Sequence, residues 1–468
     1  MVNSSVTKSF LAAIIAVALT GCNLQPAYNR PALPVSNQWR DKATVGLNVA
    51  EMQWPNFFTD PILRQLITEA LENNRDLKVA ALNVESARAQ LGLTQADLLP
   101  TIDASVNKTA EHLPGNLYST QNTGPVTYQQ YEGNLAVSSW ELDFFGRLQS
   151  LRDQALENYF SYEATQKATQ LSLVAEVAQA YITLSADSDL YKLAMSTAES
   201  QRESLRMAQA KFNAGTVTEQ DVLQARTTVK SAEADVAKYD RQRKQDGNAL
   251  QLLLGAALPS QVFNQATLHK KWIFPELNAG LPSDVLTRRP DIIAAEHSLK
   301  AANANIGAAR AAFFPSISLT ASGGSASSSL GHLFEAGTAA WSFGPSINLP
   351  IFDGGKNRAN LDVAKVTKRI EVANYEKAIQ QAFKEVSDAL SGTETYKREV
   401  SSRQEDMEAN DKYYQLAKVR YDSGVDDYTE VLTAQRSLYT AEQDYISTFS
   451  DSLSQKVTLF KVLGGGWK

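Results

Sequence analysis

The chain has 468 residues, 45 Lys and Arg against 51 Asp and Glu, a formal net charge of −6, and 43% hydrophobic and 21% charged residues. That balance excludes a disordered or collagen-like polymer, and the absence of Lys/Arg blocks argues against a nucleic-acid partner. A single cysteine, Cys22, excludes a disulfide scaffold and a Cys-based zinc site.

The first segment reads as a leader. Lys8 gives a positive start, and Phe10 to Leu19 is an apolar run of about ten residues, signal-peptide length and too short to span a bilayer. It ends Leu19-Thr20-Gly21-Cys22, which looks like a bacterial lipobox, so residues 1–21 are expected to be cleaved and Cys22 acylated. Several acyl chains on one residue exceed the two-signal requirement for stable anchoring. Asn23 after the cysteine, by resemblance to lipoprotein sorting, favours the outer membrane. Residues 22–60, with Pro26, Pro31 and Pro34, read as an extended strap leading from that anchor.

A helix is predicted over about Ile62–Leu99, stopped by Pro100, which has no N–H to continue it. Two extended runs follow near Thr101–His112 and Thr127–Leu142. Arg147 to Asn213 then runs without a Pro or Gly, Gly215 turns the chain, and a helix is predicted from about Val217 to Leu254. After a linker over 256–282 the order repeats. Asp284–Phe314 is predicted helical with Pro290 early in it, stopped by Pro315; Ser316–Ser325 and Thr338–Phe352 are predicted extended. Lys356–Arg420 is predicted helical except at Gly392, Gly424 turns the chain, and Asp427–Leu463 closes the series. The chain is a tandem duplication. Asp76, Gly92, Ala96 and Pro100 meet Asp291, Gly307, Ala311 and Pro315 at an offset of 215. Further on, Lys211-Phe212, Gly215 and Leu254-Gly255 meet Arg420-Tyr421, Gly424 and Leu463-Gly464 at an offset of 209. The repeats span 61–255 and 283–464, with a tail at 465–468.

At ~1.5 Å per residue each long helix measures roughly 100 Å, and the two shorter helices of each repeat sum to about the same length. Small and apolar positions such as Val174, Val177, Ala178, Tyr181 and Leu184 suit close helix packing. In the last strand Trp341, Phe343, Ile347, Leu349 and Ile351 alternate with polar or small residues, and Ile317, Leu319 and Ala321 alternate likewise. The second strand is less regular, its apolar positions slipping from Leu135 and Val137 to Trp140 and Leu142. Four such strands cannot close a barrel alone, so several chains must contribute.

Thr287-Arg288-Arg289-Pro290-Asp291-Ile292, Ala301 to Arg310 and Phe314-Pro315-Ser316-Ile317 resemble the TolC-like outer-membrane factors of tripartite efflux pumps, in the lipoprotein branch that serves resistance-nodulation-division transporters. Asp143-Phe144-Phe145-Gly146-Arg147 and Phe352-Asp353-Gly354-Gly355-Lys356 carry the same resemblance. It implies a mainly α fold with a transmembrane β-barrel: a homotrimer whose twelve-stranded barrel continues into a twelve-helix periplasmic tunnel. It also implies a periplasmic adaptor, an inner-membrane transporter and outer-membrane lipid as partners.

Under that resemblance the turns at 213–217 and 421–427 are periplasmic tips that dock the adaptor. Gly215, Thr216, Val217, Val222 and Leu223 are the contact residues of the first; Gly424, Val425, Val431 and Leu432 are those of the second. Tyr421 matches the family's gate tyrosine and Glu430 a ring-forming acid, whereas Asp426 stands where the prototype has a gate arginine and Thr433 where it has a second acid. The prototype's latch therefore cannot form in the same way, and Asp426, Asp427 and Glu430, repeated around an axis, are expected to make a negative constriction in which like charges repel.

The four histidines show no ligand spacing and no nucleotide-binding or hydrolase motif occurs, so neither metal, cofactor nor catalytic residue is expected beyond the lipid on Cys22. The reading is a passive duct for drugs and other toxic compounds. A copper or silver duct is disfavoured by only five methionines, since soft metals prefer sulfur ligands; a type I secretion channel and a non-conducting scaffold are the further alternatives.

Overall fold

The computed structural model describes residues 23–39, 47–49, 52–114, 124–268, 272, 274–280, 282 and 287–465. The leader, Cys22 and residues 466–468 of the tail lie outside them. In chain order the elements are β1 (Leu47–Asn48), α1 (Trp54–Phe57), α2 (Pro61–Asn73), α3 (Arg75–Ala96), β2 (Ile102–Leu113), β3 (Val126–Leu142), α4 (Arg147–Asn213), α5 (Glu219–Leu254), α6 (Ser260–Gln265), β4 (Leu277–Asn278), α7 (Pro290–Ala311), β5 (Ser316–Ser327), β6 (Ala339–Asn348), α8 (Lys356–Asp422) and α9 (Tyr428–Val462). None of the described helices is long and apolar enough to cross a membrane.

The chain divides into two compact units. One comprises the described residues up to Pro31 with Val84–Tyr162 and Ala295–Tyr375; the other comprises Ala32–Asn83, Glu163–Ala294 and the chain from Glu376 onward.

The first unit holds an antiparallel sheet of order β2-β3-β5-β6, in which β3·β5 joins the two repeats and β2 and β6 each keep a free edge. Each hairpin begins after a proline stop. Leu99 N–H bonds the Ala96 carbonyl before Pro100, and Phe314 N–H bonds the Ala311 carbonyl before Pro315, a matching last turn in both repeats. The slip in the second strand is a β-bulge: the β3·β5 register shifts between Val137 and Trp140. β6 ends at Asn348 rather than Phe352, because Pro350 has no N–H for a ladder and biases Leu349. Leu349 and Ile351 therefore lie beyond the alternating strand.

Residues 23–34 form neither helix nor strand. Those up to Pro31 are held by side chains of α7 and α4. Asn303 donates to the Pro26 carbonyl at 2.8 Å, Arg310 to the Leu24 carbonyl at 3.1 Å, and Gln25 donates to Asp153 at 2.9 Å. Arg30 grips the buried Glu296 bidentately at 3.0 and 2.6 Å, and the Tyr28 hydroxyl donates to the same carboxylate. This is how an extended strap with no ladder of its own satisfies its backbone.

The second unit is built round an aromatic cluster. The Phe57 ring stacks on Phe460 at 4.2 Å and Phe274 at 5.0 Å, with Phe58 edge-on at 4.9 Å. Val174, Val177, Ala178, Tyr181 and Leu184 are buried in the same core. The helix predicted over Ile62–Leu99 is two helices. Asn74 sits between α2 and α3, accepts from Leu77 N–H as an N-cap, and donates to the Leu253 carbonyl at 2.8 Å. Arg289 is its repeat mate and does the same work: it precedes α7 and donates to the Val462 carbonyl at 3.1 Å, and Val462 is the mate of Leu253. The helix predicted from Asp284 is thus broken before Pro290, while residues 283–286 lie outside the described ones. Gly392 does not interrupt α8; a Cβ there would run into the Gln455 side chain, so it marks a close helix approach.

Arg289 is the buried centre of the Thr287–Ile292 motif, paired with Asp291 (2.7 Å) and Glu385 (2.8 Å). Arg289→Ala is expected to destabilise the chain by about 3 kcal/mol, since it strands two carboxylates and the Val462 carbonyl. Thermal unfolding in detergent measures it; Arg289→Ala melting with the wild type would contradict the assignment.

Candidate functional site

The two turns at Gly215 and Gly424 are built alike. Gly215 has φ +72° and Gly424 φ +74°, a left-handed conformation that side-chain-bearing residues rarely adopt. Thr216 N–H bonds the Lys211 carbonyl at 3.0 Å and Gly215 N–H that of Phe212 at 2.9 Å; Val425 and Gly424 repeat the pattern onto Arg420 and Tyr421, each at 2.9 Å. Both are Schellman caps, which satisfy the carbonyls a helix end leaves open.

Past the glycine the copies diverge. In the first, Thr218 and Asp221 close a capping box: Asp221 N–H bonds Thr218 Oγ1 at 3.3 Å and Thr218 N–H bonds Asp221 Oδ2 at 2.8 Å. In the second the same places hold Asp427 and Glu430, and Asp427 makes no side-chain cap. Glu430 instead accepts from the Tyr413 hydroxyl of α8, which pushes the phenol pKa up.

The acids are not left as a bare ring. Arg420 clamps Asp426 bidentately at 2.5 and 2.8 Å, and its guanidinium holds the Asp426 carboxyl below the ordinary carboxylate range. The expected three-acid constriction is corrected to this extent: within one chain Asp426 is neutralised by Arg420, and Glu430 is hydrogen-bonded. Asp427 stays exposed, and Thr433 Oγ1 donates to the Thr429 carbonyl of its own helix. Tyr421 is held from the other hairpin, since the Lys211 ammonium of α4 sits 4.2 Å from its ring centroid and bonds its hydroxyl. Tyr428 continues the bridge, 5.3 Å from the Tyr421 ring and packed on the cluster of Ala208, Val222 and Ala225.

The tip residues also sort differently from expectation. Leu223 (48% exposed) and Val425 (62%) face outward with Gly215, Thr216 and Gly424, and Val217 is half-buried. Val222, Val431 and Leu432 are buried in helix packing, so they cannot present an adaptor surface. Sequence reasoning missed Lys211, Arg420 and Tyr413 as tip residues; the signal was a basic residue at one repeat position, Lys211 and Arg420, in the last turn of both long helices.

The family model for outer membrane efflux proteins matches residues 66–256 and 281–465, one block per repeat. The chain belongs to the outer membrane efflux protein family. It is 46% identical to the toluene efflux pump outer membrane protein TtgC of Pseudomonas putida, over 98% of this chain and 96% of that one. It is 41% identical to the outer membrane protein OprJ of Pseudomonas aeruginosa, over 97% and 95%. Among solved structures, a membrane protein from Pseudomonas aeruginosa superposes with TM-score 0.89 at 40% identity, covering 95% of this chain and 98% of that one. The open state of the Neisseria gonorrhoeae MtrE outer membrane channel superposes at 0.87 with 37% identity, covering 96% and 99%.

The protein is therefore an outer-membrane efflux channel. Its sheet is a share of a β-barrel and its long helices a share of a periplasmic α-barrel. This accounts for the exposed apolar residues that alternate along β6, Trp341 (81%), Phe343 (63%) and Ile347 (70%): they form a lipid-facing band.

Proposed function

We propose that three copies, each giving a four-stranded sheet, close a twelve-stranded barrel, and that the assembly is the passive outer-membrane duct of a tripartite pump. A resistance-nodulation-division transporter supplies the energy and a periplasmic adaptor meets the tips at Gly215 and Gly424. Anchoring by lipid on Cys22 belongs to the same reading. The observation that carries it is the family match to both repeats, each of which contains a sheet hairpin and a Schellman-capped helical hairpin. The relatives' names point to toluene and antibiotics as cargo classes.

Deletion of the gene followed by susceptibility tests decides the cargo. Expected is a several-fold fall in tolerance to toluene and to antibiotics with copper tolerance unchanged. Loss of copper tolerance alone would favour the metal duct, and loss of an exported protein alone the secretion channel.

A further inference from the structure

Within the second unit the two repeats fill one equivalent space differently. At the offset of 209, Tyr191, Arg243 and Gly247 correspond to Val400, Ser452 and Lys456. In the first repeat the space is full. Phe263 of α6 lies so close to α5 that a Cβ on Gly247 would come 2.9 Å from its ring. The Arg243 guanidinium sits 4.5 Å from the Tyr191 ring centroid and 4.8 Å from that of Phe263, so a cation and two rings occupy the place together.

In the second repeat Val400 and Ser452 stand where Tyr191 and Arg243 do, and a cavity of about 260 Å³ remains between α8, α9 and linker residues 274–277. It opens just past the pinch at which Gly392 admits the Gln455 side chain against α8. Its floor is apolar: Phe274, Leu277 and Leu459 belong to the buried core, and Phe449 packs on it. The charged lining is Lys456, which is half-buried, with Glu276, Glu394 and Lys397 exposed at the rim. Among the described residues Lys456 makes no ion pair and no hydrogen bond. Burial holds its ammonium below the ordinary lysine range, with repulsion from Lys397 acting the same way and Glu276 opposing. A partly desolvated cation over an apolar floor lacks the partner that such a charge ordinarily has.

We propose that this cavity binds a small aromatic carboxylate, its ring among Phe274, Phe449 and Leu459 and its carboxylate on Lys456. The first repeat supplies a ring to the equivalent space from its own chain, as Phe263; the second leaves that place to a ligand. The volume sets the size. It falls just under the ~300 Å³ at which drug-sized sites begin, so one ring with a short tail fits and a drug-sized molecule does not. The rim acids do not invert the preference for an anion, because Glu276 and Glu394 are in water and screened, whereas Lys456 meets the ligand at depth. A bound acid would tie the linker between the repeats to α8 and α9.

Trinitrobenzenesulfonate reads the site in the purified protein in detergent. The neutral Lys456 amine attacks the ring carbon that bears the sulfonate, sulfite leaves with the bonding pair, and the amine proton goes to water. Peptide mass spectrometry follows Lys456 against the exposed Lys412 in the same sample. At about 10 mM, phenylbutyrate is expected to slow labelling of Lys456 about tenfold, as a Kd of about 1 mM gives, and to leave Lys412 unchanged. The corresponding amide and amine, phenylbutanamide and phenylbutylamine, are expected to protect neither lysine. Equal protection by the amide or the amine, no protection by the acid, or a Lys456 that resists the reagent altogether overturns the assignment. Ser452→Phe is the second arm, since it returns a ring to the space. Phenylbutyrate is expected to raise the Tm of the wild type by about 1–2 °C and that of Ser452→Phe not at all; an equal rise in both would also overturn the site.

Discussion

Replacing Lys211 and Arg420 together by alanine is expected to raise single-channel conductance in planar bilayers several-fold. Lys211 is the cation that ties Tyr421 of the second hairpin to the end of the first, and Arg420 folds the Asp426 carboxylate back onto the turn. Each contact is exposed, so the ion pair alone contributes little and the cation–π contact about 0.5–1 kcal/mol. The effect comes from repetition. Small contributions act together, because each of three copies biases the same closed–open equilibrium in the same direction. High salt is expected to mimic the variant in part, because exposed pairs are screened. Acid is not, until far below neutrality. Asp426 has a depressed folded-state pKa, so its contribution is complete above the ordinary carboxylate range and disappears only as pH falls through the lower folded value. Charge exchange, Arg420→Asp with Asp426→Arg, is expected to restore most of the closed behaviour. Conductance equal to the wild type in the double alanine variant would show that the latch lies elsewhere.

The architecture was largely readable because its signals are long and repeated. A run of 67 residues without Pro or Gly, two proline stops and two glycine turns leave few alternatives, and α4 begins and ends at Arg147 and Asn213 as predicted. Even the irregular pattern at Leu135–Leu142 carried information, since the change of apolar phase is the bulge between Val137 and Trp140. The break at Asn74 was not readable. Asparagine is tolerated within helices, and this one is diverted by a carbonyl 179 residues away, at Leu253. The tips were half readable. A glycine after a long helix implies a left-handed cap whatever the tertiary context, but which of two adjacent apolar residues faces inward depends on the neighbouring hairpin. Leu223 therefore points out while its mate Leu432 is buried. Likewise Asp426 reads from the sequence as one of three clustered acids, because its partner, Arg420, lies across the turn.

Asp246→Asn is expected to stabilise the protein at pH 8 and to have little effect at pH 5. Asp246 on α5 is half-buried against Asp187 of α4, and burial, together with a hydrogen bond to Asp187 and repulsion from it, pushes its carboxyl up to about 7. The neighbouring cation does not relieve this. Arg243 is spent on the Tyr191 and Phe263 rings, at 4.5 and 4.8 Å, and on Asp240; Lys244 also bonds Asp240, and Lys192 bonds Asp189. The sign follows from proton linkage. Between the unfolded carboxylate pKa near 4 and the folded value near 7, the native state holds a proton that the unfolded chain has released, so stability falls as pH rises through that window and stays low above it. Asparagine has the shape of the protonated acid and keeps an N–H for Asp187 at every pH. After discounting for solvent screening at a half-exposed site, the gain at pH 8 is about 1 kcal/mol, or about 1 °C in Tm for a chain of this length. Melting curves of both proteins at pH 5 and pH 8 measure it as a difference of differences, which cancels every other titrating group. An equal offset at the two pH values would mean that the two carboxyls do not share a proton.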